Sequence, residues 1–90
     1  MNDVSLAERR GNDVTFKIRD EDISVLYILA HELASMDDVI LTGAVQKHYL
    51  IDEYEFRVNT KESLDPFDAI RDAIENALRN VREIKNSLSV

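Results

Sequence analysis

Residues 65–90, DPFDAIRDAIENALRNVREIKNSLSV, specify one long amphipathic helix, and the rest of the chain has to be arranged around it. Asp65 suits an N-cap, because its carboxylate can accept the orphan amide hydrogens of a first turn, and Pro66 fits the next position, where a missing N–H costs nothing. From there Phe67, Ile70, Ile74, Ala77, Val81, Ile84 and Leu88 recur at alternating spacings of three and four, a strict heptad seam that Ala73 and Leu78 widen. The other face carries Asp68, Arg71, Asp72, Glu75, Arg79, Arg82, Glu83 and Lys85. Glu75 and Arg79 stand in the favourable i,i+4 order, and basic residues gather toward the C-terminal end of the dipole. Twenty-odd residues at 1.5 Å each make a rod of roughly 35 Å. That is longer than a small domain needs to roof its own sheet, so either the helix overhangs into solvent or part of the seam meets another chain.

Working outward, residues 60–64 read as a polar loop, preceded by Tyr54, Phe56 and Val58 alternating with Glu53, Glu55, Arg57 and Asn59, a strand apolar on one face. Val39 to Lys47 is a β-branched, apolar strand whose central Gly43 suggests a bulge or a close approach, and residues 48–52 turn the chain between the two. At the N-terminus Val4 and Leu6 alternate with polar neighbours. Gly11-Asn12-Asp13 supplies turn residues tolerant of positive φ, and Val14, Phe16 and Ile18 alternate with Thr15, Lys17 and Arg19. This predicts a β-hairpin with one buried face. Between the hairpins, Ile23 to Met36 reads as a helix capped by Asp22 or Ser24 and closed by Asp37-Asp38. Its apolar residues Ile23, Val25, Leu26, Tyr27, Ile28, Leu29, Ala30, Leu33 and Ala34 occupy more than one face. A helix of that kind must be covered on two sides, and one small sheet covers only one. The expected fold class is α+β: ββαββα, a four-stranded antiparallel sheet with two helices on its single apolar face, forming one domain over residues 1–90.

Ninety residues bury only about 60–65 % of their unfolded surface, so a chain of this size is marginal without disulfides, metals or a partner. There is no cysteine, which removes disulfides and thiolate metal sites, agrees with a reducing cytosol and leaves association as the expected support. No apolar run approaches a membrane span, and the first residues lack a signal peptide's apolar core, so a cytoplasmic location is expected. A net charge of −7 opposes autonomous nucleic-acid binding, and the adjacent pair Arg9-Arg10 reads as a solvated hairpin end.

Chemistry is hard to find in these residues. There is no Gly-rich phosphate loop, nucleophile motif or His-x-x-x-His pair. His31 and Glu32 are helix neighbours that project about 100° apart and share no ligand, so packing is the plainer account of His31. His48 beside Tyr49 could contact a ligand at a hairpin end, though loop histidines are common. The acidic clusters 20–22 and 37–38 lack the alternation of a calcium loop and are explained by helix capping. No catalytic residue, cofactor or metal site is expected. The residues proposed for a site are instead a partner interface: Ile23, Leu26, Tyr27, Ala30, Phe67, Ile70, Ile74, Ala77, Val81, Ile84 and Leu88.

From about Val14 to Leu78, without a gap, the chain resembles the subunit L family of archaeal RNA polymerases, counterparts of the smaller assembly subunit of eukaryotic RNA polymerase II. The markers are Glu21-Asp22 before the first helix, Gln46, His48 and Leu50 around the mid-chain turn, Thr60 ending the fourth strand, and Asp65-Pro66-Phe67-Asp68-Ala69-Ile70 opening the last helix. Each is short, and the specificity lies in their joint spacing. The chain departs from the family at Asp22-Ile23-Ser24-Val25-Leu26-Tyr27, where members read Asp-His-Thr-Leu-Gly-Asn, and at Tyr49, where they have Pro. The resemblance implies an α-subunit-like dimerisation fold and a non-catalytic subunit that heterodimerises, helices against helices, with the larger, α-like D subunit of the polymerase. That pair would be the platform on which the two large catalytic subunits of the transcription enzyme assemble. Two other readings stay open: a homodimeric scaffold of the tRNA-modification type, and a small ligand-binding or enzymatic domain using His48, Tyr49 and neighbouring carboxylates. A homodimer of the isolated chain is compatible with the first two.

Overall fold

The computed structural model describes residues 3–48 and 50–88, apart from the side chain of His48. Six elements follow in order: β1 (Asp3–Arg10), β2 (Asp13–Arg19), α1 (Ile23–Ala34), β3 (Val39–His48), β4 (Glu53–Thr60) and α2 (Pro66–Leu88). The strands form one antiparallel sheet in the order β1-β2-β4-β3, so the two hairpins meet along β2 and β4. These are the strands whose alternation is cleanest, and their register sets Val14 opposite Val58, Phe16 opposite Phe56 and Ile18 opposite Tyr54 on the inner face. The same register stacks Lys17 on Glu55 and Arg19 on Glu53 on the outer face. Both helices lie on the apolar side, where Leu26 and Leu33 of α1 and Ala69 and Ala73 of α2 join Val14, Ile18, Tyr54, Phe56 and Val58 in one core. The molecule measures 46 × 38 × 18 Å, the thickness of two layers.

Local chemistry determines where each helix starts. Asp22 is the N-cap of α1: its Oδ1 accepts from the Ser24 amide at 2.9 Å and from the Ser24 hydroxyl at 2.8 Å. These bonds hold the Asp22 carboxyl below its ordinary pKa. For α2, Asp65 Oδ1 accepts from the Phe67 amide at 2.8 Å. The approach to that cap is held from across the molecule. The Asn12 amide donates to the carbonyls of Lys61 (2.8 Å) and Leu64 (3.1 Å), and the Thr60 hydroxyl donates to Leu64 O at 2.5 Å. Asn12 is therefore a clamp rather than a positive-φ turn residue, and it is Gly11 that takes φ +58.

Several sequence expectations are corrected. Helix α1 stops at Ala34 and not at Met36, with Ser35 as C-cap. Gly43 is neither a bulge nor a close approach: it pairs in register with Arg57, the β3 irregularities fall between Val39 and Leu41 and between Gln46 and His48, and open space surrounds its missing Cβ. The first hairpin buries one strand only, because β1 is an edge whose Val4 and Leu6 stay exposed. Arg10 pairs with Glu8 at the surface, but Arg9 is not merely solvated, since its guanidinium lies 5.1 Å from the Phe67 ring centroid. Asp37 and Asp38 sit in the turn between α1 and β3, where Asp38 O accepts from Lys61 N at 2.9 Å, so capping accounts for the 20–22 cluster alone.

On the outer face Arg57 Nε and Nη2 grip both carboxylate oxygens of Asp13, at 2.9 and 2.5 Å. That bond pulls the Asp13 carboxyl below the usual range and raises the Arg57 guanidinium. Burial pushes the Tyr54 phenol up, with a smaller push from Asp52. A lowered carboxyl stabilises the fold above its unfolded pKa and loses that contribution as pH falls through the folded value. Stability should therefore fall as pH drops below about 4. Asp13→Asn, compared with the parent by urea unfolding at a series of pH values, should show a shallower fall across that window.

Candidate partner interface

The two faces of α2 divide by side-chain size. Toward its own domain the helix presents Pro66, Ala69 and Ala73, all buried, with Asn76 and Ala77 half-buried beside them. Seen down the axis, Phe67 and Ile74 lie about 100–160° from Ala69 and Ala73 and are turned away from the surface that α2 packs on, whereas Ile84 lies about 20° from Ala73 and is exposed because the helix has run past that surface. Val81 and Ile84 are 61 % and 60 % exposed and Leu88 is 80 % exposed, and every residue from Leu78 to Leu88 lies in the exposed class. Helix α2 leans chiefly on α1 and only brushes β4, whereas α1 lies over β3. Asn80 Nδ2 donates to Glu32 Oε1 at 3.1 Å, which marks where α2 crosses the C-terminal part of α1.

Helix α1 is divided in the same way. Leu26 and Leu33 are in the core, Ile23, Leu29 and Ala30 pack against it, and Val25, Tyr27 and Ile28 remain exposed. Between the helices the sheet is only partly roofed, leaving an apolar groove of about 320 Å³. Its floor is Phe16, Ile18 and Phe56, its walls are Val25, Leu26 and Leu29 on one side and Phe67, Ile70 and Ile74 on the other, and Glu21 and Val4 complete the lining. The Phe67 ring meets Phe16 edge-on at 5.8 Å, which fixes the closed end of the wall.

Of the eleven interface residues expected from sequence, Tyr27, Phe67, Ile74, Val81, Ile84 and Leu88 are exposed, and Ile23, Ala30, Ile70 and Ala77 are half-buried. Leu26 is corrected: at 2 % exposure it belongs to the private core. Val25, Ile28 and Leu78 share the open surface and lie outside that set, although the i,i+3 spacing of Val25 and Ile28 already marks a second stripe. His31 is exposed on α1. Tyr49 and the His48 side chain, on which the ligand-binding alternative rests, lie outside the described residues. Among the described residues no three His, Asp or Glu side chains converge as metal ligands. No described helix is long and apolar enough to cross a membrane.

A two-layer ββαββα unit whose helical layer is left apolar toward solvent is an association domain, of the kind that completes its core against another chain. The chain belongs to the RNA polymerase Rpb3/Rpb11 dimerisation domain family, whose model matches residues 13–87. It is 27 % identical over 85 residues to the DNA-directed RNA polymerase subunit Rpo11 of Korarchaeum cryptofilum (strain OPF8), covering 94 % of this chain and 87 % of that protein. In fold it is similar to DNA-directed RNA polymerase subunit L of Thermoplasma acidophilum, with a TM-score of 0.86 at 20 % identity, covering 99 % of this chain and 87 % of that one.

The division of α2 can be tested in the monomer. Ala73→Leu should overpack the seat of α2 on its own domain and lower unfolding stability by about 1–3 kcal/mol. Val81→Ala, on the open seam, should change it by no more than about 0.5 kcal/mol. Denaturant unfolding at protein concentrations low enough to keep the chain monomeric reads both, and equal losses at the two sites would mean that α2 is seated differently.

Proposed function

We propose that this chain is a non-catalytic assembly subunit of a cytoplasmic DNA-directed RNA polymerase, pairing with the enzyme's α-like D subunit. The pair would then serve as the platform for the two large catalytic subunits. The observation that carries this reading is the exposure of α2, which is seated on its own domain through Pro66, Ala69 and Ala73 while Ile74 and Leu78 face outward and Val81, Ile84 and Leu88 lie uncovered past that contact. Family membership supports it, since the matching model describes a dimerisation domain. Fully burying a large aliphatic side chain is worth about 1.5–3 kcal/mol, and association has first to offset roughly 4–15 kcal/mol of lost freedom. The half-exposed seam of α2 meets that cost only with the help of Val25, Tyr27 and Ile28 on α1, so the interface should engage both helices. A pseudo-symmetric partner with a related helix pair presents the matching stripes.

The test is Ile84→Glu, read by pull-down with the co-expressed α-like partner and by circular dichroism of the free chain. A charge at this position meets water in the monomer but would be buried unpaired in the complex, so binding should be lost with helicity retained. Unfolding of the free variant would place Ile84 in the private core. Unchanged binding would mean that the overhang of α2 is merely solvated and would remove the main support for this assignment.

A further inference from the structure

The loop between β2 and α1 and the turn between β3 and β4 meet at one corner of the molecule, where the Asp20 amide donates to the Asp52 carbonyl at 3.0 Å. They border an open notch of about 460 Å³ lined by Asp20, Glu21, Asp22, Ile23, Asp52 and Tyr54. Four carboxylates therefore share one recess. Capping employs Asp22, whose Oδ1 accepts from Ser24, but the Asp20 and Asp52 carboxylates take no part in it. Among the described residues none of Asp20, Asp22 and Asp52 pairs with a basic side chain, and Arg19, the nearest in sequence, is held by Glu53 at 2.9 Å.

A second feature of the notch is independent of its charge. Tyr54 stands on the inner face of β4 between Ile18 and Gln46, is only 5 % exposed, and lines the notch. A buried phenol ordinarily gives its O–H to a partner. Among the described residues the Tyr54 hydroxyl has no hydrogen bond, and the carboxylates that act on it are those of Asp52 and Asp22. The recess thus combines unpaired negative charge with a phenol oxygen whose bonding capacity is unused.

We propose that the notch receives an arginine or lysine side chain of the chain that covers the helical layer. The proposal rests on the function proposed above and adds a polar contact at one end of that interface. Carboxylates and a phenol oxygen all accept hydrogen bonds, which suits the several N–H donors of a guanidinium or an ammonium and repels an anion. A bare metal ion fits less well, since no three acidic or imidazole groups of the described residues converge as ligands. Continuity identifies whose side chain it is. Glu21 lines both the notch and the apolar groove, and Tyr27, one turn beyond Ile23 on α1, is exposed. A partner lying on Val25, Tyr27 and Ile28 therefore ends at the notch. Once covered, the contact is shielded from water, so the charges select the partner more strongly than they would on an open surface.

The test measures affinity for the co-expressed α-like partner over a salt series, comparing the parent with the double variant Asp20→Asn/Asp52→Asn and with Tyr54→Phe. Asn tolerates the φ of +59 at Asp20, and Phe keeps the ring in the core, so both free variants should unfold at the parent's denaturant midpoint or slightly above it. The double variant should bind the partner at least about tenfold more weakly at low salt and approach the parent as salt rises. Tyr54→Phe should bind about threefold more weakly. Replacing the partner's exposed Arg and Lys residues one at a time by Ala should find one that weakens binding to the parent but not to the double variant. Should circular dichroism show the double variant unfolded, Asp52→Asn alone takes its place. Variants that bind like the parent, a loss that persists undiminished at high salt, or no coupled residue on the partner would each overturn the proposal. So would unchanged partner affinity with a large subunit released from the assembled polymerase, because the occupant would then be another chain. A parent that captures no α-like partner overturns this proposal together with the proposed function, whereas equal capture by parent and variants overturns this one alone.

Discussion

Two methyl groups determine what the rest of this molecule can do. Within α2, Ala69 and Ala73 are fully enclosed against its own domain, with Pro66 buried before them and Ile70 packed beside them. Small residues let the helix sit close, but they remove little apolar area from water, so α2 gains only modest stability from its own sheet and helix. Phe67, Ile74 and Leu78 of the same helix are turned outward, and Val81, Ile84 and Leu88 run on uncovered past the domain. Had these positions been exchanged, with leucines facing in and alanines out, the same backbone would make a self-sufficient domain with a polar roof. As built, the fold leaves its helical layer apolar and open, and the groove beside α2 is part of that open face.

The clamp at the start of α2 belongs to the same design. A helix anchored by a few small contacts needs its direction set elsewhere. Asn12 and Thr60 hold the loop that leads into Asp65, and the Phe16–Phe67 edge contact with Arg9 over the ring steadies the first turn. The helix is thus aimed at its N-terminal end and left uncovered at its C-terminal end. The sheet that carries it is closed on the other side by ion pairs, of which Arg19–Glu53 at 2.9 Å and Arg57–Asp13 are the closest to the centre. Leu41 and Val45 of β3 stay exposed on that face, beside Arg57 and Glu55.

Much of this is legible in the residues. The alternation of Val14-Phe16-Ile18 and Tyr54-Phe56-Val58 marks the two central strands, and Asp65-Pro66 marks the start of α2 to the residue, because capping and pleat alternation are local effects. The family likeness is legible at scattered markers whose spacing the fold preserves. What the residues do not reveal is which strand lies at an edge: Val4 and Leu6 alternate as well as Phe16 and Ile18, and only the order β1-β2-β4-β3 leaves them uncovered. Leu26 reads as interface in the sequence for a related reason. On a helix apolar nearly all round, periodicity cannot distinguish the stripe that meets the sheet from the one that meets a partner. On α2 the heptad seam is plainly apolar, but its direction depends on the alanines, which hydrophobicity ranks below the large residues although they decide the packing.

The distal half of α2 and the open side of α1 are, on this account, completed by another chain. Hydrogen–deuterium exchange of the backbone amides, compared between the dilute monomer and the complex with the α-like partner, measures this residue by residue. With every side chain from 79 to 88 exposed, amides of residues 79–88 should exchange near the fast limit in the monomer and become strongly protected in the complex, while β2 and β4 stay protected in both. Equal protection of residues 79–88 in the two states would contradict the account, because α2 would then be stable without a partner.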